Sequence, residues 1–399
     1  VFDEKGIRPQ TIRTKDDLSL LPLTSKEDIE KHAEDFMCVP HRQAVDLCQT
    51  SGTTGEPVMF LQTAADFQRL GYNEEISFRA AGMTEDDRVM ITCALGRCFM
   101  AGIAYYEGVK RIGAMAIRAG SGKPALLAQE ILLYRPSIVV CVPSQALAMG
   151  ESLLASGVDP SKVGVRLFIG IGEPVRTGDL QYSHLGRRLS QIWKCDVAGT
   201  YASTEIATSF TDCTGGCGGH FHPELITVEV LDENQQPLGP GQPGEIVATP
   251  LQVTGMPLLR YCTGDIAAYF TEPCKCGRNT YRMGPIIGRK QQKMKIRGTT
   301  VYPGGIISVL QQMPAIKNYY LEVSGDYELS ENVRVVVGVE DVKGIAAEDV
   351  AEKIRQNIRI KPQVVIAPAA EVEKKTIQEG KRKAITFFDN RHTVKTPAM

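Results

Sequence analysis

The chain of 399 residues has one tryptophan, and aromatic residues make up only 7% of it. That is too few rings for a surface that stacks nucleic-acid bases. Neither sign of charge dominates: 45 Lys and Arg stand against 46 Asp and Glu, a net charge of −1. Such a balance lacks the electrostatic footprint of a nucleic-acid or anionic-membrane partner. No uninterrupted apolar run is long enough to span a bilayer. The opening Val1-Phe2-Asp3-Glu4-Lys5 does not read as a signal peptide. With no initiator Met, residues are expected ahead of Val1. Internal repeats and low-complexity tracts are also missing. The expectation is a cytoplasmic protein with no nucleic-acid and no membrane partner.

Cysteine is the residue present in unexpected number. There are 11, an odd count in a long chain, which argues against a secreted disulfide framework. Seven are scattered and read as reduced, buried thiols. Cys213, Cys217, Cys274 and Cys276 cluster near His220 and His222.

A 43% hydrophobic chain of this length exceeds one ordinary core, so two domains are expected. Thr24-x-x-Glu27 has the pattern of a capping box and predicts a helix from about Ser25 to Phe36. Strands are expected at 45–49 and 58–61, with residues 50–57 as their hairpin-like connection. Between residues 64 and 194 helical and strand patterns alternate, which indicates a mostly parallel sheet covered by helices. Thr177 to Lys194 reads as one helix. From Leu225 short strands joined by Pro/Gly turns suggest a small β-barrel-like subdomain. After 288 the pattern becomes a compact α+β domain. The fold class is therefore α/β, with residues 1–287 as a large N-terminal domain and 288–399 as a small C-terminal α+β domain beyond a hinge.

The segment Thr50-Ser51-Gly52-Thr53-Thr54-Gly55-Glu56-Pro57 offers converging backbone N–H groups and hydroxyls, the chemistry of a phosphate loop. A polar surface turn would use the same residues, and no Gly-Lys-Ser/Thr closes the segment as in a Walker loop. Four further segments follow in order: Tyr201-Ala202-Ser203-Thr204-Glu205, Tyr261-Cys262-Thr263-Gly264-Asp265, Gly288-Arg289-Lys290-Gln291, and Glu379-Gly380-Lys381-Arg382-Lys383. Together the five resemble the ordered motifs of the adenylate-forming enzymes. Leu21-Pro22-Leu23-Thr24-Ser25-Lys26-Glu27, Gly172-Glu173-Pro174 and Pro273-Cys274-Lys275-Cys276-Gly277-Arg278 narrow the resemblance to the phenylacetate–CoA ligase branch, over essentially the whole chain.

That resemblance implies a reaction. A carboxylate and ATP give an acyl-adenylate and pyrophosphate, and coenzyme A then takes the acyl group as a thioester. Phosphate positioning and charge neutralisation would be the main catalytic work. Ser51, Gly52, Thr53 and Thr54 would hold the β- and γ-phosphates, with no lysine on the loop to help. Thr204 would donate to the α-phosphate, and Glu205 would bind Mg²⁺. Tyr201, with Ala202 and Ser203 beside it, would stack on adenine. Gly172, Glu173 and Pro174 would line the adenine pocket. Asp265 would accept from the ribose hydroxyls, and Arg289 would approach the ribose-phosphate. Lys381 would bridge the substrate carboxylate and the α-phosphate, with Lys383 as its rival. Residues 95–106, including Phe99, Ala101 and Tyr105, with the region before Tyr201, would form the acid pocket. An aryl or arylacetic acid such as phenylacetate, and a homodimer, are further implications of the family. The motifs leave open a non-CoA acceptor (an amine, a hydroxyl or a carrier thiol) and a non-catalytic nucleotide-binding paralogue.

The cysteine cluster suits structural Zn²⁺, because soft ligands come from two distant segments beside glycines. Five candidates, Cys213, Cys217, His220, Cys274 and Cys276, compete for four positions. Related branches carry one Cys, one His and the Cys-x-Cys pair, which favours Cys213 and His220 beside Cys274 and Cys276. Free thiols in two loops are the alternative.

Overall fold

The computed structural model describes Phe2 and residues 6–50, 58–296, 299–326, 329–377 and 384–391. The chain forms two compact units, Val1–Ile286 and Ile287–Met399. Among the described residues no helix is long and apolar enough to cross a membrane.

In the first unit, helix α1 (Lys26–His32) is capped by Ser25 and Asp28 rather than by Thr24 and Glu27. Ser25 Oγ accepts from the Asp28 N–H at 3.1 Å, and Asp28 accepts from the Ser25 N–H at 2.7 Å. Thr24 is drawn away because its hydroxyl donates to the Leu259 carbonyl and its N–H to that of Arg260. Strands β1 (Ala44–Gln49) and β2 (Met59–Thr63) pair antiparallel, Gln49 opposite Met59, as the hairpin reading expects. Helix α2 (Ala64–Ala80) starts at a second capping box, formed by Thr63 and Asp66.

Next come β3 (Arg88–Ile91), α3 (Met100–Ile112), β4 (Met115–Arg118), α4 (Pro124–Tyr134), β5 (Ile138–Cys141), α5 (Pro143–Ala155) and β6 (Leu167–Ile171). They are followed by α6 (His184–Trp193), β7 (Asp196–Ser203) and β8 (Thr208–Thr211). Strands β3 to β8 form a six-stranded sheet in the order β4-β3-β5-β6-β7-β8, parallel except for β8. Ile138-Val139-Val140-Cys141 is apolar throughout because the sheet is covered on both faces. One core holds Val89, Ile91, Val140 and Ile169; the other holds Met90, Val139, Phe168 and Trp193.

The helix expected from Thr177 is shorter than its sequence suggests. Residues 177–181 instead close a turn, with the Thr177 N–H donating to the Gln181 carbonyl and Leu180 at φ +65°. Ser183 caps α6 by accepting from the Gly186 N–H, so the helix begins at His184.

Two small antiparallel sheets make up the region read as barrel-like. Strand β9 (Gly219–His220) precedes β10 (Ile226–Leu231), β11 (Gly244–Pro250) and β12 (Tyr261–Ala267), which pair in sequence order. Strands β13 (Tyr269–Phe270) and β14 (Arg282–Met283) pair with each other, and β14 pairs with β9.

The second unit is α+β. A long hairpin, β15 (Ile316–Asp326) with β16 (Leu329–Val339), is flanked by the parallel strands β17 (Gln363–Pro368) and β18 (Phe387–Asp389). Val335, Val337, Leu321 and Val323 of its sheet are fully buried with Ile306, Val350 and Ile354 of the helices 303–310 and 347–358.

Candidate functional site

In an open parallel sheet, ligands bind beyond the carboxyl ends of the strands. Two of the expected site segments lie there. Gly172 follows β6 at φ +74°, a conformation that favours glycine, and it is exposed together with Pro174. Glu173 turns towards α5: its carboxylate accepts from the Ser144 N–H and hydroxyl, each at 2.9 Å. It thereby supplies negative charge and acceptors to the first turn of that helix, and the backbone of 172–174 remains on the surface.

The second segment is β7 and the turn after it. Pairing with β8 puts Ala202 opposite Ser209 and Tyr201 opposite Phe210. The rings of Tyr201 and Phe210 stack at 6.1 Å with 12° between their planes. The Tyr201 hydroxyl donates to Asp265 Oδ2 at 3.0 Å, which ties the six-stranded sheet to β12. Burial, then the neighbouring Asp265 carboxylate, pushes the Tyr201 hydroxyl well above its usual range, so it stays a donor. Gly264 sits at φ +72° in an irregular stretch of the β11–β12 pairing, and Thr263 Oγ1 accepts from the Asp265 N–H.

Thr204 and Glu205 stand on the turn between β7 and β8. The Oε2 of Glu205 accepts from the Ser203 hydroxyl at 2.7 Å. Thr204 and Glu205 line a cleft with Gln62, Asp66, Arg69 and Met100. Arg69 and Asp66 hold this cleft's walls, and the motif reading missed both. Arg69 donates to the carbonyls of Ala207, Leu225 and Leu251 and to Thr208 Oγ1. Burial lowers its pKa to about 10, and Asp66 works in the opposite direction. Asp66 accepts from the N–H groups of Thr63, Thr254 and Gly255. The sequence does carry a signal for them: Asp66, Arg69, Asn73 and Ser77 recur at helical spacing on the buried side of α2.

Ser51, Gly52, Thr53, Thr54 and the rest of loop 51–57 lie outside the described residues, as do Lys381, Lys383 and their neighbours. Arg289 belongs to the second unit and is exposed. Phe99, Ala101 and Tyr105 pack around the core between α3 and the sheet.

The cysteine segments do converge. Ligand atoms of Cys213, His220, Cys274 and Cys276 all lie within 4.8 Å of one another. Cys213 Sγ is 3.4 Å from Cys274 Sγ, and Cys276 Sγ is 3.2 Å from His220 Nε2. His220 Nδ1 meets Thr280 Oγ1 at 2.9 Å and its carbonyl at 3.2 Å, which fixes the ring and turns Nε2 inwards. Burial holds His220 below its ordinary pKa, the neutral form a metal ligand needs. Cys217 points elsewhere, its thiol donating to the Gly215 carbonyl at 3.0 Å. Three thiols and one imidazole fit the tetrahedral donor set of a closed zinc site.

A two-unit α/β chain with these segments at the carboxyl edge of its parallel sheet defines a nucleotide-binding class. Residues 4–255 match the family model of the AMP-binding enzymes, and residues 298–391 match that of the AMP-binding enzyme C-terminal domain. The chain belongs to the AMP-binding enzyme family. It is similar to a phenylacetate-coenzyme A ligase of Thermus thermophilus, 28% identical over 92% of this chain and 87% of that one. A second phenylacetate-coenzyme A ligase, from Pseudomonas putida, is 27% identical over 98% of this chain and 88% of its own length. A solved 2-hydroxyisobutyryl-CoA ligase in the postadenylation state shares the fold with a TM-score of 0.83 at 21% identity, covering 98% of this chain and 84% of that chain.

Proposed function

We propose that the chain is an ATP-dependent carboxylate–CoA ligase that forms an acyl-adenylate and then an acyl-CoA thioester. The observation that carries this reading is the hydrogen bond from Tyr201 to Asp265. It joins two separated motif segments near the carboxyl end of β7. Tyr201 offers its ring to adenine and Asp265 a carboxylate to the ribose. Thr204 donates to the α-phosphate. Glu205 supplies an oxygen ligand suited to Mg²⁺, a hard cation whose charge offsets that of the phosphates. Gly172 and Pro174 line the base, Arg289 approaches the ribose-phosphate, and Ser51, Thr53 and Thr54 grip the β- and γ-phosphates. Lys381 bridges the carboxylate and the α-phosphate. The mobile part is the C-terminal domain, residues 288–399.

Cys213, His220, Cys274 and Cys276 hold a structural Zn²⁺, which ties the loop after β8 to the segment after β13. A closed set of four protein ligands leaves no position for a reacting water, so the metal supports the fold. Thiolate ligation suits a reducing compartment, and the cytoplasm is the location we infer. The acid is an aryl or arylacetic acid such as phenylacetate, and the protein works as a homodimer. The test is carboxylate-dependent pyrophosphate release followed by CoA thioester formation across a panel of acids, with Lys381→Ala as control. Absence of carboxylate-dependent ATP consumption in the wild type would sink the reading.

A further inference from the structure

Strand β2 carries Phe60 and Gln62 on one face, two residues apart. Gln62 is 5% exposed and lines the cleft that also holds Thr204 and Glu205. Its buried Oε1 has no hydrogen-bond partner among the described residues. The other polar side chains on the α2 side of the cleft are engaged. Asp66 accepts from three backbone N–H groups, and Arg69 is bonded to three carbonyls and a hydroxyl. An unpaired polar atom in such a position is destabilising, and a ligand group in the cleft would offset that. A half-turn of the amide exchanges its oxygen for its NH₂ group, so the same buried position presents an N–H to an anion.

We propose that Gln62 is a further catalytic residue of adenylation, its side-chain amide donating to the anionic oxygens where the substrate carboxylate meets the α-phosphate. The inference rests on the carboxylate–CoA ligase reading. In the step concerned, a carboxylate oxygen forms a bond to the α-phosphorus. The bond from that phosphorus to the pyrophosphate oxygen breaks, and pyrophosphate leaves with the bonding pair. No proton has to move. Charge gathers on the oxygens around the phosphorus, and a fixed donor in a shielded cleft stabilises it more than it stabilises the ground state. A neutral donor there also suits a phosphate loop that carries Glu56 and no lysine.

The test is acid-dependent ATP–pyrophosphate exchange by the full chain with Mg²⁺, comparing wild type with Gln62→Met, Gln62→Asn and Gln62→Glu. Gln62→Met should lower kcat about 100-fold, with the KM for ATP changed by less than about threefold. Gln62→Asn keeps the amide and should recover part of the rate. Gln62→Glu, which brings an acceptor and a negative charge, should be at least as slow as Gln62→Met. Thermal unfolding separates a structural role, which would lower Tm and leave kcat per folded molecule intact. A Gln62→Met enzyme with wild-type kcat, or a Gln62→Glu enzyme as fast as wild type, would overturn the inference. No exchange by the wild type with any acid would remove the ligase reading itself, and this inference with it.

Discussion

The hydroxyl of Tyr201 lies 3.0 Å from Asp265 Oδ2, and this bond joins strand β7 of the large sheet to strand β12 of the small one. A carboxylate offers about four acceptor positions, and the Tyr201 hydroxyl takes one of them on Oδ2. Asp265→Ala removes that acceptor and strands the Tyr201 hydroxyl at the same time. Losing such bonds costs about 1–3 kcal/mol, so the Kd for ATP should rise by about tenfold or more. Tyr201→Phe keeps the ring and the carboxylate and should change the Kd by only a few fold. Calorimetric titration reads both. An Asp265→Ala protein that binds ATP like wild type would take Asp265 out of the nucleotide site.

The four clustered ligand atoms lead to a prediction about metal content. Purified protein should contain about one zinc per chain by elemental analysis. Cys274→Ser should lose the metal, and Cys217→Ser should keep it, because Cys217 is bonded to Gly215 instead. Removing zinc with a chelator should lower Tm by about 5 °C or more, since the metal ties two distant segments together. Zinc retained by Cys274→Ser and lost from Cys217→Ser would show that the wrong four residues have been chosen.

The parallel sheet is legible in the sequence because its strands are marked by local signals. Ile138 to Cys141 is apolar throughout, and that run alone marks a buried strand. The cap of α1 lies one residue beyond the one that Thr24-x-x-Glu27 predicts, because that pattern overlaps Ser25-x-x-Asp28 and a distant segment decides between them. Thr24 is held by the carbonyls of Leu259 and Arg260, more than 230 residues away, and no local pattern records that. The start of α6 failed for a related reason: a left-handed Leu180 and the Ser183 cap interrupt an otherwise helical spacing. Among the five candidate zinc ligands the family resemblance already favours Cys213, His220, Cys274 and Cys276, and their convergence, with Cys217 bonded to Gly215 instead, agrees with that choice. Asp66, Arg69 and Gln62 escaped notice because they carry no motif. Their meaning comes from facing a cleft whose other wall is formed by residues 204–207 and 253–256.

Asp66 should be the costliest capping residue of the first unit. It caps α2 and also binds the backbone of Thr254 and Gly255, so one carboxylate fixes a helix start and a remote turn. Burial opposes its ionisation, but the N–H donors outweigh that and hold its pKa below the usual range. Its contribution is present above the ordinary carboxylate pKa and is lost as pH falls through the lowered folded value. Asp66→Ala should destabilise the protein at pH 7 by about 2–4 kcal/mol, the sum of a lost cap and orphaned N–H groups. Urea unfolding measures this, and a change under about 0.5 kcal/mol would contradict it. The gap between wild type and variant should close as the pH is lowered below about 4.

Glu74 makes the opposite prediction. It is fully enclosed on α2, with the Asn73 amide donating to Oε1 at 3.0 Å and no partner for Oε2 among the described residues. Burial pushes its pKa up to about 8, and Ser209 and Asn73 offset this only in part. In the unfolded chain the group returns to about 4.3. The folded state therefore binds the extra proton between those values, and stability is lost as pH rises from about 4 through 8. Glu74→Gln keeps the size and a hydrogen-bonding head but cannot ionise. The Tm of wild type minus that of Glu74→Gln should accordingly become steadily more negative between pH 5 and pH 8, then level off. Subtracting one curve from the other removes the contributions of the remaining groups, including His222, whose burial lowers its pKa to about 4. A difference that stays flat across that range would mean that Glu74 is ionised in the folded protein.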